Sequence, residues 1–516
     1  MITIDRTPGA PFLQPWRNAI AVGRAFDLTR ADLLDHLRLL QREVGFRTCR
    51  FHAVFDDDMQ VVLRRPDGSL AFQWRNVDQV YDALLAMGLK PFVELNPMPT
   101  ALSSGTQTMF WYKMNVTPPK DFGEWEQLIE AFARHLVDRY GIAEVRSWWF
   151  EVWNEPNLQG FWSGTKEEYF RLYDASARAL KRVDTGLRIG GPASSKASWL
   201  EDMIAHSDAT GVPLDFVSSH LYPQDEYVDY SDRKGSPHQT GDYFIATIRD
   251  AVRRVHVLRP GLPVHWTEWN TMACASSKGI NWTTNTTNDA LHGAAVAARA
   301  MVELDGDLDT LCWWVASDIF TESGISPCAF SMTYGMLTIH GIPKPAFHAF
   351  AFLARLTGDR LTTQVNGAPH AAGLAMARDG VAVRAVVWNQ RLLEDTAPPT
   401  WQDELRVPVT SDGEHLVLCA RVSTGAGSAY ESWLAMGAPH DLAPTVERAL
   451  RAMAEPRWTT QRMPAQSGSV AVPLRLEPGE LLFMEVRPVG QSAMPRKADA
   501  ASIAAWDAIM GERSRA

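Results

Sequence analysis

Two glutamates stand where a pair of carboxyl groups could act on one bond. They fall in Trp149-Phe150-Glu151-Val152-Trp153-Asn154-Glu155-Pro156-Asn157 and in His265-Trp266-Thr267-Glu268-Trp269-Asn270, each just past a short apolar run that predicts a β-strand. Breaking a glycosidic bond needs a proton for a poor leaving-group oxygen and stabilisation of the positive charge growing at the anomeric carbon. Two carboxyl groups supply both when their surroundings separate their pKa values. Asn154, directly before Glu155, can hold a sugar 2-hydroxyl, and Pro156 restricts the backbone where the strand breaks into its loop.

The aromatic residues fit the same chemistry. There are 19 tryptophans, and Trp148, Trp149 and Trp153, the pair Trp266 and Trp269, and the pair Trp313 and Trp314 frame polar side chains. A sugar offers flat CH faces edged by hydroxyls, so it suits such a mixture. Trp313 and Phe320, with Trp111 and Trp162, are candidates to wall the pocket. Arg50 is expected to orient a catalytic carboxylate, since its fork matches bidentate pairing, and Glu94 to join that supporting network.

The elements that must position these residues follow from the hydrophobic period. Strands are predicted at Asn18–Val22, Phe46–His52, Pro91–Leu95, Val145–Val152, Leu187–Ile189, Asp215–Ser219, Pro263–Thr267 and Thr310–Val315. Helices are predicted between and after them, among them Leu28–Val44, Val77–Met87, Phe122–Arg139, Lys166–Val183 and Pro345–Leu356. Eight such β/α units predict an α/β chain built on a (β/α)8 TIM barrel, over residues 1–355. A doubly wound sheet would carry a glycine-rich phosphate turn after its first strand, and none is there. Short extended segments with period-two alternation then predict a C-terminal β-sandwich over residues 356–498, interrupted by a helix near Thr445–Met453. Residues 425–437 read as a loop, and residues 499–516 as a tail with a helix over 498–510.

Composition removes other function classes. The formal charge is −10, from 50 basic and 60 acidic residues, so no basic excess favours nucleic acid or an anionic membrane. No apolar run reaches spanning length. The segment from Met1 to Trp16 lacks a signal-type apolar core, which predicts a cytoplasmic protein, or a periplasmic or secreted one if a signal peptide was removed. The five cysteines are scattered, with no CxxC pair, and are expected to be free thiols. No metal and no organic cofactor is called for. Self-association through the sandwich or the final helix is compatible with the sequence.

Together with the two glutamate motifs, Cys49-Arg50-Phe51-His52, Pro91-Phe92-Val93-Glu94-Leu95, Ile189-Gly190-Gly191-Pro192, Ser219-His220-Leu221-Tyr222-Pro223 and Gly341-Ile342-Pro343-Lys344-Pro345-Ala346-Phe347 resemble glycoside hydrolase family 39. The trailing sandwich is similar to the accessory domain of that family's bacterial β-xylosidases. The resemblance implies a retaining hydrolase with Glu155 as acid/base and Glu268 as nucleophile, their carboxyl groups about 5 to 5.5 Å apart. It also implies that His52, Asn154, His220 and Tyr222 surround the sugar at the cleavage point, and that the loop Asp318-Ile319-Phe320-Thr321-Glu322 binds substrate, with Glu322 hydrogen-bonded to sugar hydroxyls. The implied substrates are xylo-oligosaccharides or other small glycosides, trimmed from one end. An α-L-arabinosidase or α-L-iduronidase is the rival reading within the family, and a non-catalytic carbohydrate-binding barrel the rival outside it.

Overall fold

The computed structural model describes residues 2–222, 241–271, 288–320, 322, 324, 328–331, 333–369, 371–390 and 399–489. Pro223, Cys274, Thr321, most of the loop at 391–400 and the helix expected over 498–510 lie outside the described residues.

Eight parallel strands close into a barrel. They are β1 (Ala19–Arg24), β2 (Thr48–His52), β3 (Lys90–Leu95), β4 (Trp149–Val152), β5 (Arg188–Ser194), β6 (Phe216–His220), β7 (Val264–Trp269) and β8 (Thr310–Trp313), with β8 returning to pair with β1. All eight lie where the apolar segments predict them. Both faces of each strand are covered, so polar residues appear only where the barrel interior needs them. Cys49, Phe51, Val93, Leu95, Phe150 and Val152 face outward into the main core. Inside, Phe92, Trp149, Phe216 and His265 contact one another as an aromatic floor, and the charged residues of the site belong to the same interior.

The surrounding helices carry their own start signals. Helix α1 (Ala31–Glu43) turns Leu33, Leu37 and Leu40 onto the barrel. Asp121 caps α2 (Phe122–Tyr140) by accepting from the Gly123 amide at 2.7 Å, and a reciprocal Thr165/Glu168 capping box opens α3 (Lys166–Val183). Helix α4 (Pro345–Leu353) begins on a proline and is buried along its whole length. Among the described residues, no helix is long and apolar enough to cross a membrane.

Beyond residue 358 an antiparallel sheet runs in the order Asp359–Val365, Ala372–Asp379, Ala382–Asn389, Leu481–Pro488, Gly413–Thr424, Arg457–Gln466, Ser469–Leu476 and Trp401–Pro408. It has a separate core around Leu374, Met376, Leu405, Val472 and Met484. One edge is completed from the far end of the chain. Ile2–Gly9, expected within the barrel region, instead pairs with Asp359–Val365, which satisfies an otherwise open row of backbone groups. Two further elements escape the hydrophobic pattern. Arg457–Gln466 is exposed at nearly every position and has no alternation to detect, while Tyr430–Ala435 forms a short helix inside the segment read as a loop. The predicted helix is found at Pro444–Met453. Among the described residues, Cys49, Cys312 and Cys419 are free thiols.

Candidate active site

Strand β2 points Arg50 and His52 inward, and Arg50 is the hub of the barrel interior. It is fully buried, with Nε donating to Glu151 Oε2 at 2.6 Å, Nη1 to Glu268 Oε1 at 2.8 Å and Nη2 to Asn154 Oδ1 at 2.9 Å, while Nη2 also forms an ion pair with Glu94 Oε2 at 2.6 Å. One guanidinium therefore holds three carboxylates drawn from three different strands and an amide from the loop after β4. Breaking a buried ion pair costs about 3 to 5 kcal/mol, so Arg50 supports the fold as well as the site. Because Arg50 only donates, it fixes the Asn154 amide with oxygen inward and turns the NH2 group the other way as a donor.

Glu268 reaches the interior through a bulge. His220 on β6 pairs with Glu268, while the preceding Ser219 pairs with Trp266, which leaves Thr267 as an extra residue on β7. Strict alternation would send Glu268 outward beside Trp266. The bulge re-aims it inward and lets Thr267 and Glu268 face the interior together. Tyr222 then donates to Glu268 Oε2 at 2.9 Å, so both carboxylate oxygens have fixed donors.

Glu155 sits on a strained loop. Trp153 and Glu155 have φ of 70° and 44°, in the left-handed region that side chains other than glycine adopt at a cost of order 1 kcal/mol or more. The Glu155 amide donates to Ala193 O at 2.9 Å, which ties the loop to β5. A carboxylate oxygen of Glu155, one of Glu268 and a ring nitrogen of His220 all lie within 4.8 Å of one another. These are donor types that could ligate a cation, but Arg50 and Tyr222 already engage both oxygens of Glu268.

The family follows from sequence and fold together. Residues 1–471 match the model of glycosyl hydrolases family 39. This chain belongs to that family. It is 34% identical over 493 residues to a β-xylosidase of Geobacillus stearothermophilus, covering 93% of this chain and 94% of that one. It is 41% identical over 348 residues to a β-xylosidase of Caldicellulosiruptor saccharolyticus, covering 67% and 69%. The crystal structure of a monomeric β-xylosidase from Caulobacter crescentus CB15 superposes with a TM-score of 0.83 at 32% identity, over 95% of this chain and 99% of that one.

In this family 39 chain the surroundings act strongly on Glu155. Burial pushes Glu155 up to about 7, against the opposing pull of a Ser195 hydrogen bond and the Arg50 and Lys196 charges. Burial likewise pushes Glu94 up, with Arg50 opposing it. His52 is pressed down to about 3 by burial and is therefore neutral. Its Nδ1 is hydrogen-bonded to Glu94 at 2.8 Å, and its Nε2 lies 3.8 Å from Glu268 Oε1. Glu94 is held further by the Asn96 amide.

His220 was expected beside the sugar, but both its ring nitrogens are taken by protein. Nδ1 meets Glu155 Oε1 at 3.0 Å and Nε2 meets Thr267 Oγ1 at 3.2 Å.

Trp313, expected to wall the pocket, stands elsewhere. It lies in the outer core, stacked edge to face on Trp269 at 5.0 Å and Phe350 at 5.5 Å, with its indole N–H given to Tyr334 O. The neighbour Trp314 lines the pocket instead, 4.6 Å from the His52 ring. Strand parity was the available signal, since Thr310 faces the interior and residues two and four further on share its face. Phe320 packs edge to face with Trp314 at 5.6 Å and lies 6.2 Å from Phe110. Gly23 on β1 makes room for it, because a Cβ there would collide with the Phe320 ring. Trp162 packs on Trp153 in the loop after β4, and Trp111 is exposed under the Arg24 guanidinium.

Glu322 lies near enough to Glu268 and Glu155 to feel their charge, and burial first, then those two groups, raises it to about 8. Its loop is anchored by Lys344, wholly buried, whose Nζ is 2.5 Å from Asp289 and 2.6 Å from Asp318. Residue types alone gave no hint of Thr267, Asn96 or Phe110, which enter the site through the bulge and the interlocked loops, whereas Glu151 comes in on the same face of β4 as Trp149.

Proposed function

We propose that this chain is a retaining, exo-acting β-D-xylosidase that releases xylose from xylo-oligosaccharides. The observation that carries the mechanism is the approach of a Glu155 oxygen to a Glu268 oxygen within 4.8 Å, which suits double displacement better than the wider carboxyl separation of an inverting pair. Glu155 donates a proton to the aglycone oxygen as Glu268 attacks the anomeric carbon. Water activated by ionised Glu155 then hydrolyses the glycosyl ester, and the two inversions return the original configuration. Asn154 gives a hydrogen bond to the sugar, His52 Nε2 accepts one, and Tyr222 steadies the nucleophile. Glu322, carrying its proton at neutral pH, donates to a further hydroxyl.

The xylose reading is supported by relatives named β-xylosidase that match nearly the whole chain, whereas a human α-L-iduronidase matches over 29% of it. Phe110 and Phe320 meet edge to face at 6.2 Å beside Trp314, which supports a walled pocket of the kind end-trimming uses. Across aryl β-D-xyloside, α-L-arabinoside and α-L-iduronide, kcat/KM should be highest for the xyloside by at least about tenfold, roughly the discrimination one pocket contact gives. An iduronide turned over faster would overturn the assignment.

The acid role also sets a pH dependence. Glu155 is raised from its ordinary range to about 7, so it holds its proton below pH 7 and loses it above. kcat/KM, which reports the free enzyme, should fall about tenfold per pH unit on the alkaline side of 7. A profile flat to pH 9 would contradict the protonated-acid account.

A further inference from the structure

We infer that Thr267 and Glu151, through the tautomer of His220, hold Glu155 in its acid form before substrate binds. This rests on the reading of Glu155 as the general acid. The chain of donors starts at Glu151, whose Oε2 takes the Arg50 Nε at 2.6 Å and whose Oε1 takes the Thr267 hydroxyl at 2.9 Å. A threonine hydroxyl has one hydrogen, and here it is spent on that carboxylate. The Thr267 oxygen can then only accept from His220 Nε2, 3.2 Å away, so Nε2 carries the imidazole proton. A neutral imidazole protonated at Nε2 has a bare lone pair at Nδ1. That lone pair faces Glu155 Oε1 at 3.0 Å and Glu268 Oε2 at 3.6 Å. Two charged carboxylates against a lone pair would be repulsive. A proton on Glu155 turns the closer contact into a hydrogen bond, O–H of Glu155 donating to Nδ1. Burial, which presses the His220 pKa down to about 4, keeps the ring from resolving the conflict by taking a second proton.

Other charges bear on the same pair. Arg50, Lys196, Glu94, Glu268 and Glu322 face Glu155, with Tyr222 and Ser195 beside it, and Arg50, Glu94, Glu151 and Glu268 face His220. The relay adds to this field a directional contact that favours the neutral acid. When substrate binds, the Glu155 proton passes to the glycosidic oxygen, the O–H bond breaking as the new one forms, and no proton need leave His220.

Thr267→Val keeps the shape and removes the hydroxyl. His220 Nε2 then loses its acceptor, and the ring is free to carry its proton on Nδ1 and donate to ionised Glu155. The alkaline limb of kcat/KM on an aryl xyloside should move to lower pH by about one unit, the scale of one hydrogen bond to a carboxylate, while Thr267→Ser should leave it in place. A limb that stays put in a folded, active Thr267→Val would overturn the relay, whereas a wild-type enzyme without glycosidase activity would overturn the underlying reading. Neutron diffraction from the wild-type enzyme near pH 6 decides the point without a variant. Hydrogen on His220 Nε2 and on Glu155, with Nδ1 bare, is the expected result, and hydrogen on Nδ1 overturns it.

Discussion

Replacing Glu268 with glycine should reduce turnover of an aryl glycoside by at least about 10⁴-fold, the scale on which loss of a covalent nucleophile is felt. The fold should survive, because Arg50 keeps Glu94 and Glu151 as partners when the contact at 2.8 Å to Glu268 is removed. The side chain leaves behind a space beside the anomeric carbon that a small anion can enter. Azide should therefore restore turnover and form a glycosyl azide. A variant that keeps substantial activity without azide would place the nucleophile elsewhere.

Glu155→Ala should separate substrates by their leaving groups. General acid catalysis contributes about 10² to 10⁴ when the departing oxygen needs a proton. kcat/KM should fall by that factor for alkyl glycosides and xylo-oligosaccharides, and by less than about tenfold for a dinitrophenyl glycoside, whose leaving group departs unassisted. Deglycosylation also loses its base, so kcat for the activated substrate should drop, and a burst of released phenol should precede the slow phase. Equal losses in kcat/KM on both kinds of substrate would refute the acid role.

Much of this was legible in the chain because barrels write their strands as buried apolar runs, and Glu155 and Glu268 follow two of them directly. What was not legible lies where geometry departs from the local pattern. The bulge at Thr267 breaks alternation on β7 and puts two neighbouring residues on one face, which no period-two reading anticipates. Trp313 and Trp314 are identical in type, so only the parity of β8 tells the core residue from the pocket wall. Ile2–Gly9 pairs with a strand more than three hundred residues away, and pairing at that separation leaves no trace in a window of neighbouring residues. Arg457–Gln466 is a strand by virtue of its partner Gly413–Thr424, not of any buried face of its own.

The central claim, that Glu268 attacks from one side of the sugar while Glu155 serves the other, is tested most directly by the anomeric configuration of the glycosyl azides made by the two variants. Proton NMR of the products should show inversion relative to substrate from Glu268→Gly, where azide replaces the nucleophile, and retention from Glu155→Ala, where azide intercepts the glycosyl ester from the opposite face. The same anomer from both variants, or no azide adduct from Glu268→Gly at saturating azide, would contradict the account.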